Sequence, residues 1–392
     1  MPKQIVIIGA GPGGLNCAQA LAAQLRPQDD TDVALLEMQS FYFHAVGMPR
    51  AYVDEAFGSK LLIPYDEAIP KKGRGVVRHI RAIATKIDGK ANQVVYRTIG
   101  RDDQPATMDT TISFDYLVVA TGSTYTTPIK PDGDDYRRAA FEKKLQTTFS
   151  QIASSDKILI VGGGAVGCEV AGEIAVKYPH KSVTLLEGND RLLAGADVRD
   201  KLRDKLMEGL NKLNVKVILG ERLEERLTEN VFKERTLRTN KGTTIQSDAQ
   251  LLCAGMHPVS ALVADMNKSL VTASGAIKVN DQLQLADSSF SHIYVVGDAS
   301  NHSTPKLGYF AGEQGKHVAA EIIARVRGKN STKAFPPVTV GVMLVPLGPN
   351  GGASQLPLMG GCVVGNTMTR LIKSKDYFVG RAWSDLGATL PN

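Results

Sequence analysis

Two glycine triplets carry the strongest chemical signal in the chain. Gly9, Gly11 and Gly14 fall on the spacing G-x-G-x-x-G within QIVIIGAGPGG, and Gly162, Gly164 and Gly167 repeat it within KILIVGGGAVGCEVAGE. Each position has a physical meaning. The first glycine permits a tight turn, the second lets a pyrophosphate approach the backbone, and the third lets helix and strand pack closely. A helix that starts there offers unpaired N–H groups and a partial positive charge to phosphate. An acid follows each triplet at the end of a second apolar run, Glu37 after 33–36 and Glu187 after 182–186. A carboxylate so placed accepts from ribose hydroxyls. Glu187 would also repel a 2′-phosphate, which favours NADH, while nearby Arg191 weakens that preference and keeps NADPH open.

Further residues stand where such a site needs contacts. In IYVVGDAS a strand runs into Gly297 and Asp298, an arrangement in which the aspartate meets the ribityl chain of a flavin. Arg50, in MQSFYFHAVGMPR, is a candidate for pyrophosphate or flavin contact, with a surface position as the local alternative. His44 and the aromatics beside it lie where chain runs along a flavin, and Val77 offers backbone groups to an adenine. Thr121 and Gly122 close the buried run 116–120. Lys306 and Leu307 precede a helix whose start approaches the flavin ring. A lysine there would stabilise negative charge on the reduced ring, the alternative again being the surface. Glu169, inside the helix after the second triplet, faces either the nicotinamide or solvent. The four cysteines, Cys17, Cys168, Cys253 and Cys362, form no C-x-x-C pair and no zinc spacing. They read as core filler, so an enzyme built this way must hand electrons straight to an acceptor.

The elements that position these residues are legible as pattern. Short apolar runs at 5–8, 33–36, 116–120, 158–161, 182–186, 249–253 and 293–296 fit buried parallel strands. Runs at 76–83, 86–100, 107–114, 215–219, 235–238 and 276–279 read as further strands, and 15–25, 197–213 and 309–327 as helices. The second triplet therefore sits in an insertion, after which the chain returns to its first unit. The tail from 335 changes character: an apolar stretch at 338–347, a hairpin turn at 348–352, then Lys373, Lys375 and Arg381 among Tyr377, Phe378 and Trp383. Basic residues beside aromatics suit a lipid headgroup layer, or else a packed dimer or domain surface.

Length and composition bound the rest. A chain of 392 residues has room for two or three domains with sizeable cores. A net charge of +6 suits anionic cofactors and an anionic membrane surface and is too small to argue for nucleic acid. No signal peptide is expected, because the first strand begins at once, and no apolar run reaches transmembrane length. Pro2 stands where N-myristoylation needs glycine, so membrane contact is expected to be peripheral.

Taken in order, GAGPGG, ATG, GGGAVG and VGDAS resemble the two-dinucleotide flavoprotein reductases. SFYFHAVGMPR, ATGSTY, GGGAVGCEVAGEI, TPKLGYFAG and TRLIKSKDYFVGRAW are similar, more narrowly, to the ferroptosis-suppressor and apoptosis-inducing-factor-like mitochondrion-associated group, over nearly the whole chain. The resemblance implies an α/β fold of the glutathione-reductase type. It would have two Rossmann-like domains, FAD-binding over 1–125 and 255–332 and NAD(P)H-binding over 126–254, with a C-terminal α+β region over 333–392. It implies FAD, NADH or NADPH, and reduction of a ubiquinone- or vitamin K-type quinone at a membrane. Carried over by motif, Gly9, Gly11, Gly14, Glu37, Arg50, Val77 and Asp298 would hold FAD, and Gly162, Gly164, Gly167 and Glu187 the nicotinamide nucleotide. Glu169 and Lys373 match polar positions near the flavin ring and join Lys306 as catalytic candidates; no metal is expected. The location implied is cytoplasmic or mitochondrion-associated. A homodimer stands beside the quinone and the membrane among the partners expected; the alternative functions are a reductase of a small electron-carrier protein and a redox-gated interaction protein.

Overall fold

The computed structural model describes residues 2–69, 75–126, 128–131, 133, 136–329 and 333–391. The expected domain end at 332 and the final residue, 392, lie outside the described residues.

Short apolar runs, too short for stable helices, build the parallel core of two sheets. The first has seven strands in the order Ile293–Val295, Tyr116–Val119, Lys3–Ile8, Thr31–Glu37, Val77–Asp88, Gln93–Thr98 and Thr110–Ser113. The first five are parallel; the sixth runs antiparallel to the fifth, and the seventh antiparallel to the sixth. Ile5, Val6 and Ile7 of the central strand are fully buried, which is why that run lacks polar alternation. The second sheet has four parallel strands in the order Lys216–Leu219, Ser182–Glu187, Lys157–Val161 and Ala249–Leu252. Helix α1 (Pro12–Gln24) follows the first glycine turn and α2 (Ala165–Lys177) the second. Helix α3 (Asp200–Lys212) covers the second unit, and α4 (Gly308–Val326) lies against α1. The α1–α4 contact is close: a Cβ on Gly315 would stand 2.1 Å from the Gly13 carbonyl oxygen.

The chain crosses between the sheets twice, and the two crossings pair. Ser123–Thr124 runs antiparallel to His257–Pro258. The Thr121 hydroxyl donates to the Val259 carbonyl, and the Val259 N–H donates to the Gly122 carbonyl. The C-terminal region is a three-stranded antiparallel sheet (Met343–Pro346, Gly352–Leu356, Cys362–Val364), a helix Asn366–Thr369, a π-helical turn Arg370–Ser374 and a helix Val379–Asp385. It is wedged against both units. Leu347 packs where Gly172 and Gly209 leave room, and the Trp383 indole donates to the Lys60 carbonyl at 2.8 Å.

Three expectations need correction. The run 86–100 is not one strand. Asp88 accepts from the N–H groups of Lys90 and Ala91, and the chain turns back there into a hairpin. The stretch 276–279 makes only isolated bridges, from Ile277 to Val271 and Ser300 and from Val279 to Leu285. Helix α1 begins at Pro12 rather than at 15, since a proline in the first turn needs no N–H partner.

Candidate active site

The two glycine turns have the same geometry. Gly9 (φ +97°) and Gly162 (φ +117°) take a left-handed turn, where a Cβ would lie 2.5 Å from the Ala120 oxygen and 2.8 Å from the Cys253 oxygen. Gly14 and Gly167 pack a helix onto that turn so tightly that a Cβ would meet the carbonyl of Gly9 or Gly162 within 2 Å. At Gly11 and Gly164 the opposite holds, for a Cβ there would meet nothing within 4 Å. Both are helix N-caps without a side-chain cap, so the first-turn N–H groups face that open space. Each turn thus leaves open space beside a helix N-terminus, an arrangement suited to an anion, and a side chain at the middle glycine would enter that space.

Each cradle carries its acid in the same pose. Glu37 accepts from the Ala10 N–H at 2.6 Å and from Gln39 at 2.8 Å. Glu187 accepts from the Gly163 N–H at 2.6 Å and from the Asn189 backbone and side chain at 2.8 and 2.6 Å. Burial raises the Glu37 carboxyl above its ordinary range, and the N–H donors oppose that. Strand register bears on one expected contact. Val77 is paired with Val33, four residues short of the level of Glu37 and so roughly 13 Å away along the strand. Arg81 is the residue beside Glu37. Ligands of such sheets bind at the carboxyl ends of the strands, and at that end Arg81, with its neighbour Ala82, stands level with Glu37.

Asp298 does not stand alone. Its Oδ2 accepts from the Ser123 hydroxyl at 2.7 Å and the Lys130 ammonium at 3.1 Å, and that ammonium lies 5.1 Å from the centre of the Tyr125 ring. The Gly297 N–H donates to Gln314. Gly297, Asp298, Thr304, Lys306, Leu307 and Gln314 come together around one small recess. The Lys306 ammonium is anchored by the carbonyls of Ser300 (2.8 Å) and His302 (3.0 Å). Burial lowers it from the ordinary lysine range, opposed by Asp298. Leu307 is the N-cap of α4. Sequence reasoning missed Lys130, whose only signal was a basic residue a few positions beyond the Thr121–Gly122 turn.

Where α2 meets the C-terminal region, the described residues form a buried charged cluster. Glu169 is 4% exposed and pairs with the Lys373 ammonium at 2.7 Å; Lys373 also donates to the Leu344 carbonyl. Burial raises the Glu169 carboxyl, and Lys373 pulls it back. One turn along α2, Glu173 is 1% exposed and takes Arg50 in a two-pronged pair, Nε at 2.6 Å and Nη2 at 2.8 Å. Arg50 Nη2 donates as well to the Ser374 carbonyl. The surface alternatives for Arg50 and Glu169 are therefore wrong: both are buried and paired. His44 is also buried, its Nε2 against the Tyr377 carbonyl at 2.7 Å, so it braces the C-terminal region. All four cysteines are unpaired. Burial pushes the thiols of Cys17 and Cys253 up to about 12 and raises Cys168 as well, which suits packing and not thiol chemistry.

Two nucleotide cradles in one chain, each with its acid, are the frame of an FAD-dependent NAD(P)H oxidoreductase. The chain belongs to the pyridine nucleotide-disulphide oxidoreductase family, which it matches over residues 3–315, and FAD and NAD(P)H are its cofactors. It is 31% identical to ferroptosis suppressor protein 1 of Homo sapiens over 390 residues, 99% of this chain and 96% of that one. It is 29% identical to apoptosis-inducing factor homolog B of Dictyostelium discoideum over 411 residues, 99% and 98% of the two chains. Among solved structures it is similar in fold to the sulfide:quinone oxidoreductase of Aquifex aeolicus, with TM-score 0.75, 15% identity and coverage of 99% and 92%. A ferredoxin reductase of Rhodopseudomonas palustris gives TM-score 0.64, 18% identity and coverage of 99% and 95%. Among the described residues no helix is long and apolar enough to cross a membrane.

Proposed function

We propose that the chain is an NAD(P)H:quinone oxidoreductase. The observation that carries this reading is the buried Glu169–Lys373 pair, which joins the nicotinamide-side helix to the C-terminal region without any cysteine pair between them. Bound FAD supplies hydride acceptance from the nicotinamide and delivery of two electrons to the acceptor. The protein's own work is alignment and charge. Gly9, Gly11 and Gly14 with Glu37 seat one dinucleotide, and Gly162, Gly164 and Gly167 with Glu187 seat the other. Asp298, Ser123 and Lys130 hold the ribityl side, and Lys306 places a cation near the start of α4, where negative charge develops on reduction. In the balance, NADH loses a hydride, and the quinone gains two electrons and two protons, one drawn from water. Glu169 and Lys373 are the groups placed to hold or pass that proton.

A quinone with a lipid tail needs access from a membrane, and the C-terminal region supplies a suited face. Residues 366–375, NTMTRLIKSK, contain no acid. Thr369 and Ser374 point inward, whereas Met368 (44% exposed), Leu371 (69% exposed), Arg370 and Lys375 point outward. Apolar residues between cations match an anionic lipid surface, so contact is peripheral, on cytoplasmic or mitochondrial membranes. The fold likeness to a sulfide:quinone oxidoreductase, which extends through this region, supports the same acceptor class. In stopped-flow mixing, NADH should bleach the flavin absorbance and a ubiquinone analogue should restore it rapidly. Slow return with quinones but fast return with an iron–sulfur carrier protein would give the function to carrier reduction instead.

A further inference from the structure

Tyr377 touches both ion pairs of the charged cluster and belongs to neither. It is fully buried. Its hydroxyl donates to Glu173 Oε1 at 3.0 Å. The two sides of its environment are cationic: Arg50 Cζ lies 5.1 Å and Lys373 Nζ 5.4 Å from its ring centre. Its N–H donates to the Lys373 carbonyl, and its own carbonyl takes the His44 ring. The backbone reaches this position by an uncommon route, since Tyr377 (φ +51°) and Phe378 (φ +62°) are consecutive non-glycine residues in the left-handed region. Such conformations persist only where the surroundings over-determine them.

We propose that Tyr377 is a positioning residue that fixes the Lys373 ammonium on Glu169 and couples that pair to Arg50–Glu173. The proposal rests on the reading of Glu169 and Lys373 as the pair beside the flavin ring. Tyr377 itself keeps its proton throughout the neutral range and neither gives nor takes one there. Burial, with Glu169 and Glu173 nearby, holds its phenol well above the ordinary value. Its effect is geometric: the aromatic ring closes one side of the space around Lys373, and the hydroxyl ties that ring to α2.

The consequence falls on Glu169. The charged and titratable groups around it are Lys373 from the C-terminal region, Glu173 and Cys168 on its own helix, and Tyr377, with Arg50 behind Glu173 and His44 behind Tyr377. Lys373 lowers its carboxyl, and burial and Glu173 raise it. Loosening Lys373 therefore lets the carboxyl rise. Removing Tyr377 should act in the same direction as removing Lys373, and through it.

The test is a double-variant cycle on the FAD-loaded protein, with Tyr377→Phe, Lys373→Gln and both. The readouts are the flavin midpoint potential against pH, the two half-reactions by stopped flow, FAD content and melting temperature. Tyr377→Phe should keep FAD content and move the bend in the potential–pH plot upward by about half a unit or more. Lys373→Gln should move it further, and the double variant should match Lys373→Gln. If Lys373→Gln leaves both half-reactions and the plot unchanged, the pair is not at the reaction centre, and the proposal falls with it. If Lys373→Gln acts but Tyr377→Phe does nothing, or the shifts simply add, only the role of Tyr377 is overturned. Should Tyr377→Phe lose FAD, the titration of the Glu169 carboxyl is followed by carbon-13 NMR on the apoproteins of the parent and the same three variants, with the same outcomes.

Discussion

Glu169 and Glu173 lie one turn apart on the same face of α2, and each is neutralised by a cation from a different part of the chain. Lys373 comes from the C-terminal region and Arg50 from the segment after the first acid. Two buried carboxylates at this spacing would repel each other if left unpaired. The helix can carry them only because the first unit and the tail both converge on it. The cluster therefore does structural and chemical work together, and the two can be separated by experiment.

The Arg50–Glu173 pair is the structural half. Breaking a buried pair by removing one partner typically costs about 3–5 kcal/mol, because the other charge is left uncompensated. Arg50→Met should therefore lower the melting temperature strongly, whereas Arg50→Met combined with Glu173→Leu should recover much of the loss. Thermal unfolding followed by circular dichroism decides this. Equal losses in the single and double variants would mean that packing of the guanidinium, and not its charge, holds the junction.

The glycine cradles give a second prediction with opposite signs at neighbouring positions. An added side chain at Gly164 meets open space, and one at Gly167 meets the Gly162 carbonyl at 1.8 Å. Gly164→Val should fold normally, keep its FAD, and raise the KM for NADH more than about ten-fold by filling the phosphate site. Gly167→Val should destabilise the second unit itself. Melting temperature, flavin content and KM, measured on both variants, separate the cases.

Much of this was legible in the sequence because the cradles are local. Glycine spacing, a flanking apolar run and a terminal acid all lie within some thirty residues. The second sheet and the return of the chain to the first could be read for the same reason. The charged cluster could not. Glu173, Arg50 and Tyr377 are separated by up to 327 positions, and nothing in the local pattern of any one says which partner it meets. The level of Val77 was hidden in a different way: the strand was recognised, but its register against the strand ending in Glu37 is set by sheet pairing. Lys130 was missed because its partner, Asp298, arrives from the far side of the inserted unit.

Acid stability offers a third test at a site remote from the chemistry. The Arg327 guanidinium holds the Asp29 carboxyl down, from 3.8 to about 2, and fastens the end of α4 to the turn before the second strand. A carboxylate with a depressed folded value stabilises the protein fully above its unfolded value, and loses that contribution as pH falls from 3.8 through about 2. Arg327→Gln should lower the urea midpoint at pH 6, and its deficit relative to the parent should shrink progressively below pH 4. A deficit independent of pH would show that the arginine acts through its bond to the Gln24 carbonyl instead.

The outward face of residues 366–375 can be tested without touching the reaction centre. Met368 and Leu371 are exposed, while the neighbours that matter for the buried cluster, Lys373 and Ser374, face the other way. Met368→Ser with Leu371→Ser should leave flavin content, melting temperature and turnover with a water-soluble quinone unchanged. The same variant should bind vesicles containing phosphatidylserine at least about five-fold more weakly, since each buried apolar side chain contributes on the order of 1–2 kcal/mol at an interface. Binding of the parent should fall as salt rises, because Arg370 and Lys375 supply the remaining attraction. If the parent ignores vesicles of any charge, and the double substitution instead halves its mass in solution, then a second copy of the chain covers this face and the quinone must enter elsewhere.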